Sequence, residues 1–301
     1  MEHSNHEYNQ SSSLGRGFRT LALVIIGFFV LVLGITLLVE TIPITSENSI
    51  ALIRIEGVIL DPNEIIDQIE LFSENPSIQA IVVRIDSPGG AVVPSQEIYA
   101  ALKEVRDKEE KTIVTSMGNM AASGGYYIAS ASNQIVANPG TITGSIGVIM
   151  EMTNVEELLA KLGVESVVVK SGLHKDLASP FRPLDNTSRK ILQDVMDDVH
   201  NQFVHAVADG RGMDIEKIHT LADGRIFTGR QALEQNLVDH LGTLKDAIQL
   251  AADLEGISSE PSIIEIEPRF SMRDLLRTQL KSILSLFTVP NNFSLKFEFT
   301  L

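Results

Sequence analysis

The chain has 301 residues, of which 44% are hydrophobic and 21% charged. That is ample for a packed core and excludes a disordered chain. With 39 acidic and 24 basic residues the formal charge is −15, which excludes a nucleic-acid binder held by phosphate contacts. The absence of cysteine excludes a disulfide framework, a Cys-based zinc site, an iron–sulfur cluster and a thiol nucleophile.

Residues 1–20 are polar and end with Arg16 and Arg19 beside an uncharged apolar run over 21–39. As a helix that run measures about 28 Å, close to the roughly 30 Å hydrocarbon core of a bilayer. It is long for a cleaved signal peptide, and no A-x-A site follows, so it reads as an uncleaved signal anchor. No Lys or Arg follows it until Arg54. The positive-inside rule then puts the N-terminus in the cytoplasm and the rest of the chain on the extracytoplasmic (periplasmic) side of the cytoplasmic membrane, as a single-pass protein. Residues 41–49 read as a linker.

From 50 to 268 strand and helix patterns alternate, which predicts an α/β domain with a mostly parallel sheet. The expected order is a strand over 50–60, a helix over 62–72, a buried strand over 79–85, a turn at Asp86-Ser87-Pro88-Gly89-Gly90, a helix over 94–109 and a strand over 111–117. A small-residue helix should begin at Met120, followed by short strands at 134–137 and 166–169. The segment 187–209 is a long amphipathic helix with Ile191, Leu192, Val195, Val199, Phe203 and Val207 near one face. Residues 224–239 and 244–255 read as turn and helices, with Thr228 as an N-cap. The tail, 269–301, turns basic: 271–287 forms an amphipathic helix suited to a membrane interface or to a neighbouring subunit. Its last nine residues alternate Phe293, Leu295, Phe297, Phe299 and Leu301, a strand in need of a sheet edge. Such a strand suits a neighbouring subunit's edge or the domain's own cleft.

Several segments could carry chemistry. In Met120-Ala-Ala-Ser-Gly-Gly-Tyr-Tyr127 a strand runs through very small residues into a helix. That geometry exposes a nucleophilic serine, Ser123, at a helix start, and it equally allows a helix to pack tightly on a sheet. The Ser87–Gly90 turn frees backbone N–H groups for an oxyanion, or is a plain turn. Thr141–Gly147 and Lys170–Asp176 are polar loops after apolar strands. Of the seven histidines only His174 falls in such a loop. Neither Ser123 nor Ser145 lies in G-x-S-x-G, and no HExxH or Walker motif occurs.

In this order, Ser-Pro-Gly-Gly, Met-Ala-Ala-Ser-Gly-Gly-Tyr-Tyr, Thr-Gly-Ser-Ile-Gly-Val, Ser-Gly-Leu-His-Lys-Asp and Asp223-Gly-Arg-Ile-Phe-Thr-Gly-Arg-Gln-Ala232 closely resemble the bacterial signal peptide peptidase A family (protease IV type, short form) over roughly residues 50–250. The resemblance implies the ββα spiral of the Clp protease/crotonase superfamily, with Ser123 as nucleophile, Lys175 as general base and Ser145 orienting the lysine. It implies oxyanion amides from Gly90 and Gly124, and a peptide lying along Ser87, Pro88 and Gly89. Where Clp peptidases place a catalytic His, Thr141–Gly147 has none, which favours a Ser–Lys dyad. No metal or cofactor is implied. Released signal peptides are the implied substrates, and a homo-oligomer with active sites at subunit interfaces the implied assembly. A related membrane protease that cleaves specific apolar membrane-protein segments and an inactive oligomeric scaffold of the same fold are the competing readings.

A lysine base must be neutral to act, and an ordinary lysine is about 0.04% neutral at pH 7. The site must therefore strip water from it. Asp176, next to Lys175, is accordingly expected to face away from the dyad.

Overall fold

The apolar runs of the central strands are nearly continuous because both faces of the sheet are covered. In the computed structural model, which describes Gly27, residues 48–108 and 110–266 and the backbone of residues 296–298, β1 (Ser49–Glu56) shows how. Its Ala51, Ile53 and Ile55 enter the main core, and Ile50 and Leu52 enter a second, smaller one on the other face. That period of two repeats along β2 (Ile78–Ser87), with Ile81, Val83 and Ile85 on one side and Ala80 and Val82 on the other.

Helices α1 (Asn63–Glu74), α2 (Val92–Asp107) and α3 (Gly124–Ala129), with the long α5 (Asn186–Arg211), contribute to the main core. The smaller core is capped by α8 (Leu244–Leu254) through Ala247, Ala251 and Ala252. A short α4 (Glu156–Lys161), α6 (Ile215–Leu221) and α7 (Gly229–Glu234) complete the described helices. The remaining strands are β3 (Gly89–Ala91), β4 (Thr112–Ala122), β5 (Gln134–Ala137), β6 (Ile142–Gly144), β7 (Ile226–Thr228), β8 (His240–Leu241), β9 (Ser262–Glu265) and β10 (Lys296–Glu298).

The main sheet runs β7-β6-β4-β2-β1-β9, with β5 on β4 and β8 on β5. All its pairings are parallel except β6 with β7. One edge of β4 is shared: its first half pairs with β5 and its last three residues with β6. Strands alternating with helices in a mostly parallel sheet are what the sequence predicts, and an α/β domain with such a sheet forms. All these elements belong to one compact unit, Glu47–Leu301.

Local differences from the sequence reading have physical causes. The first strand stops at Glu56 because Gly57 (φ 70°) turns the chain. Met120–Ala122 extend β4 instead of opening a helix, because β6 offers Met120, Ala121 and Ala122 a parallel partner. The segment 166–169 forms no strand: it has no sheet neighbour, and Val167 and Val169 are 79% and 97% exposed. In α5, Leu192, Val199, Phe203 and Val207 are buried as expected, but Val195 is exposed. Helix α5 is capped by the Asp185 side chain and ended by Gly212 in the left-handed region. It lies so close to the end of α3 that a Cβ on Gly210 would sit 1.9 Å from the Ser130 carbonyl oxygen. Thr228 does cap α7, in a reciprocal box with Gln231.

Apart from Gly27, the apolar run 21–39 lies outside the described residues, as does the helix expected over 271–287. Among the described residues no helix is long and apolar enough to cross a membrane.

Candidate active site

Parallel strands collect ligands beyond their C-terminal ends, and here three such ends converge. Strand β2 ends at Ser87, β4 runs into Ser123 and β6 into Ser145. Ser87 pairs with Ala121, and Ala122 with Gly144, so the three ends lie side by side. Three described non-glycine residues have positive φ: Ser123 (54°), Ser145 (52°) and Asn236 (61°). Backbone held in such a region costs on the order of 1–3 kcal/mol and persists only where the surroundings enforce it.

The enforcing contacts are clear. The Ser123 N–H donates to the Gly144 carbonyl (2.8 Å), and the Tyr127 N–H donates to the Ser123 carbonyl (2.8 Å), so α3 starts directly behind the serine. The Ser145 N–H donates to the Arg225 carbonyl (2.8 Å). Arg225 in turn pairs with Asp223, whose carboxyl it holds down at about 2. Small residues permit the approach: a Cβ on Gly125 would meet the Ser87 carbonyl oxygen at 3.2 Å, and one on Gly144 the Phe227 ring at 2.6 Å. Ser123 and Ser145 are both buried.

The Ser87–Gly90 turn forms the opposite wall. The Ser87 hydroxyl donates to the Gly57 carbonyl (2.6 Å) and accepts the Gly89 N–H (3.1 Å), so it shapes the turn. Strand β3 then has two edges. On one, the Ile59 N–H donates to the Gly89 carbonyl (2.9 Å) and the Ala91 N–H donates to the Ile59 carbonyl (2.8 Å). A Cβ on Gly90 would lie 2.1 Å from the Ile59 carbonyl oxygen, so only glycine fits there. Because backbone groups alternate along a strand, the N–H and C=O of Gly90 point to the other edge. Helix α3, which opens with Gly124, lies against β3. The first N–H groups of a helix have no intrahelical partner. Gly90 and Gly124 thus lie on two elements packed together beside Ser123.

Lys175 stands apart. It is exposed, lies in a run of turns over 171–178, and no hydrogen bond joins it to Ser123 or Ser145 among the described residues. Asp176 turns away from it: its carboxylate accepts from Lys170 Nζ (2.6 Å) and lies 3.3 Å from Arg182 Nε, and these cations hold it below the usual carboxylate range. Arg182 also bonds Asp185 (2.9 Å), whose carboxylate accepts the Ser188 N–H at the start of α5 (2.8 Å) and the Ser188 hydroxyl (2.9 Å). The lysine-bearing loop is therefore fastened to the head of α5. Nearby, Leu162, Val164, Val167, Val168, Val169 and Leu173 are all exposed.

Ser123, Ser145, Ser87, Gly89, Gly90 and Gly124 are thus gathered at one end of the sheet, with Pro88 in the same turn, while Lys175 is not joined to them in a single chain. Sequence reasoning gave no role to Ile59, Arg182 or the Asp223–Arg225 pair. The backbone carbonyls of Ile59 and Arg225 serve Ala91 and Ser145, far along the chain, and the short-range ion pairs matter only for the loops they hold in place, which no local pattern announces. A groove of about 440 Å³ is lined by Arg54, Val58, Leu60, Glu64, Ile98 and Ile266 among others. None of Ser123, Ser145 and Lys175 lines it.

A protein-family model for peptidase family S49 matches residues 105–258, which include Ser123, Ser145 and Lys175, and one for Clp protease matches 53–141, which include Gly90 and Ser123. The chain is 48% identical over 222 residues to a putative protease of Synechocystis, an alignment covering 74% of this chain and 79% of that protein. It is 37% identical over 216 residues to a putative signal peptide peptidase SppA of Enterococcus faecium (67% of this chain, 62% of that one). It is 35% identical over 241 residues to Protease 4 of Salmonella typhi (74% of this chain). The chain covers less than two thirds of the Enterococcus protein and 39% of the Salmonella one.

Proposed function

This chain belongs to peptidase family S49 and is a serine peptidase, and from that premise we propose that it is a membrane-anchored endopeptidase with a Ser123–Lys175 dyad that degrades released signal peptides. The observation that carries the reading is Ser123 itself: a buried serine held at φ 54° between a strand and a helix, beside the outward-facing amide of Gly90. Strain of this kind at a residue able to act as a nucleophile marks a functional position.

In the proposed reaction the Ser123 hydroxyl attacks the peptide carbonyl while Lys175 takes its proton. The Gly90 and Gly124 N–H groups hold the developing oxyanion. Lys175 returns the proton to the leaving amine, and water, activated by the same lysine, releases the acyl group. Ser145, one strand over from Ser123, orients the lysine. The substrate is an extended apolar peptide that adds along Ser87–Gly90.

A lysine that serves as base has to be removed from water, and in one chain Lys175 is exposed. The exposed apolar residues over 162–173 support a second copy of the chain as the cover. On this reading the enzyme is a homo-oligomer whose sites form between subunits. The uncharged run 21–39, preceded by Arg16 and Arg19, supports a single-pass anchor with the catalytic domain on the extracytoplasmic side.

The test is hydrolysis of a quenched fluorescent apolar peptide by the full chain in detergent, beside Ser123→Ala and Lys175→Ala. Both variants should lose about 10³-fold or more in kcat while keeping the parent's assembly state, as losses of a nucleophile or its base do in other serine peptidases. Full activity in Lys175→Ala would move the base elsewhere, with His174 next in line. A folded, assembled parent with no activity would favour the scaffold reading.

A further inference from the structure

We propose that Asp86 is a positioning residue for the nucleophile: its carboxylate holds a bulge in β4 at the point where that strand passes from β5 to β6, and so fixes where Ser123 stands. The proposal rests on the reading of Ser123 as nucleophile given above and says what aims it.

Ile85 pairs with Met117 and Ser87 with Ala121. Between these positions β2 has one residue, Asp86, where β4 has three, Gly118, Asn119 and Met120. On its other side β2 stays in register with β1, Glu56 opposite Asp86, so the irregularity belongs to β4. Bulges bend a strand and re-aim the side chains that follow, often beside active sites. Here the bend falls where β4 changes partner. Val114–Met117 pair with β5, and Met120–Ala122 pair with β6. Ser123 follows at once.

A bulge takes backbone groups off the ladder, and inside a protein those groups need other partners. Side chains supply them. One Asp86 carboxylate oxygen accepts the Met120 N–H (3.1 Å), and the other accepts the Asn119 side-chain amide (2.9 Å). The hydroxyl of Thr141, the residue before β6, donates to the Gly118 carbonyl (2.7 Å). Arg84 donates to the Met117 carbonyl (2.9 Å). The fit at Asp86 is close: a Cβ on Gly118 would lie 2.7 Å from its carboxylate carbon. Asp86 is itself held from the far side, because its backbone carbonyl accepts the Gly57 N–H (3.0 Å). One residue thus joins the β1–β2 ladder, the turn that begins at Ser87 and the strand that delivers Ser123. A reacting group displaced by about 1 Å loses on the order of 10²-fold in rate, and removal of the carboxylate frees β4 three residues before the serine.

The test uses the full chain in detergent with Asp86→Ala, Asp86→Asn and Thr141→Val. For the quenched apolar peptide, Asp86→Ala should lose about 10²-fold in kcat with KM within about twofold of the parent. Asp86→Asn keeps an oxygen for the Met120 N–H and should recover most of that loss. Thr141→Val loosens the same bulge from its other side, so it should also lower kcat at kept KM, and it serves if Asp86→Ala fails to fold. A second arm needs no turnover. Hydrogen exchange of the amides of residues 120–123 should quicken at least about tenfold in Asp86→Ala, with those of residues 80–85 unchanged, as a local opening requires. Parent-like kcat in Asp86→Ala, a rise in KM in place of the fall in kcat, equal losses in Asp86→Ala and Asp86→Asn, or exchange that quickens alike in every strand overturns the proposal. If no form of the protein hydrolyses the peptide, faster exchange confined to residues 118–123 sustains the proposal and the failure lies with the catalytic reading, whereas unchanged exchange there overturns it.

Discussion

A serine with φ 54° and ψ −117° occupies backbone space that glycine enters freely and other residues enter at a cost. Ser145, with φ 52°, does the same one strand away. Both are held by hydrogen bonds to carbonyls of distant residues, Gly144 and Arg225. Replacing Ser123 by glycine should remove the strain along with the hydroxyl. Thermal unfolding of Ser123→Gly is expected about 2–4 °C above the parent, the shift that about 1 kcal/mol produces in a domain of this size, and hydrolysis should vanish. A variant as inactive as expected but less stable than the parent would mean that the backbone at 123 is unstrained. Ser123 and the Ser87–Gly90 turn stood out in the sequence as candidates beside plain packing and turn roles, and Ser145 and Gly124 became candidates through the family resemblance. The strain at Ser123 and Ser145 was not legible, because it is imposed by partners 21 and 80 residues away along the chain.

At the scale of an element, the loop over 170–178 has no regular structure of its own and depends on its clamp. Asp176 ties Lys170 to Arg182, and Arg182 reaches Asp185, the cap of α5. Asp176→Asn keeps the shape and removes the charge. It should lower kcat about tenfold or more through misplacement of Lys175, with KM little changed. A structural role without positioning would leave kcat alone. Because the Asp176 carboxyl lies below its ordinary value, the clamp contributes fully above about pH 4, the ordinary carboxylate range, and is lost as pH falls through the lowered value. The fall of peptidase activity between neutral and pH 5 should therefore be the same in parent and Asp176→Asn, and a difference there would implicate the carboxylate directly. The sequence placed α5 within two residues at each end, because a long period of 3.6 is a local signal, although the Asp209-Gly210 pair that reads as its stop falls inside the helix and Gly212 ends it. It misread 166–169 as a strand, because β-branched residues show a propensity and not a partner.

For the whole molecule, the decisive feature is that the proposed base is exposed while the nucleophile is buried. Exposed Val167 and Val169 lie within the loop region that a second copy would cover. Val167→Asp with Val169→Asp should give a smaller species by sedimentation in detergent and lose activity together with assembly. A fully assembled, inactive double variant, or a dissociated active one, would break the link between association and catalysis. The sequence by itself determined the α/β class, the long helix α5, the family and the chain's candidate nucleophile, because these follow from periodicity and from short motifs of neighbouring residues. Only the tertiary structure decided that β4 divides its edge between β5 and β6, that Ile59 closes one side of β3, and that β10 lies along the other. Pairing of edges depends on which strands the packed core brings side by side, and contacts across 20 to 209 residues leave no periodic trace in the chain.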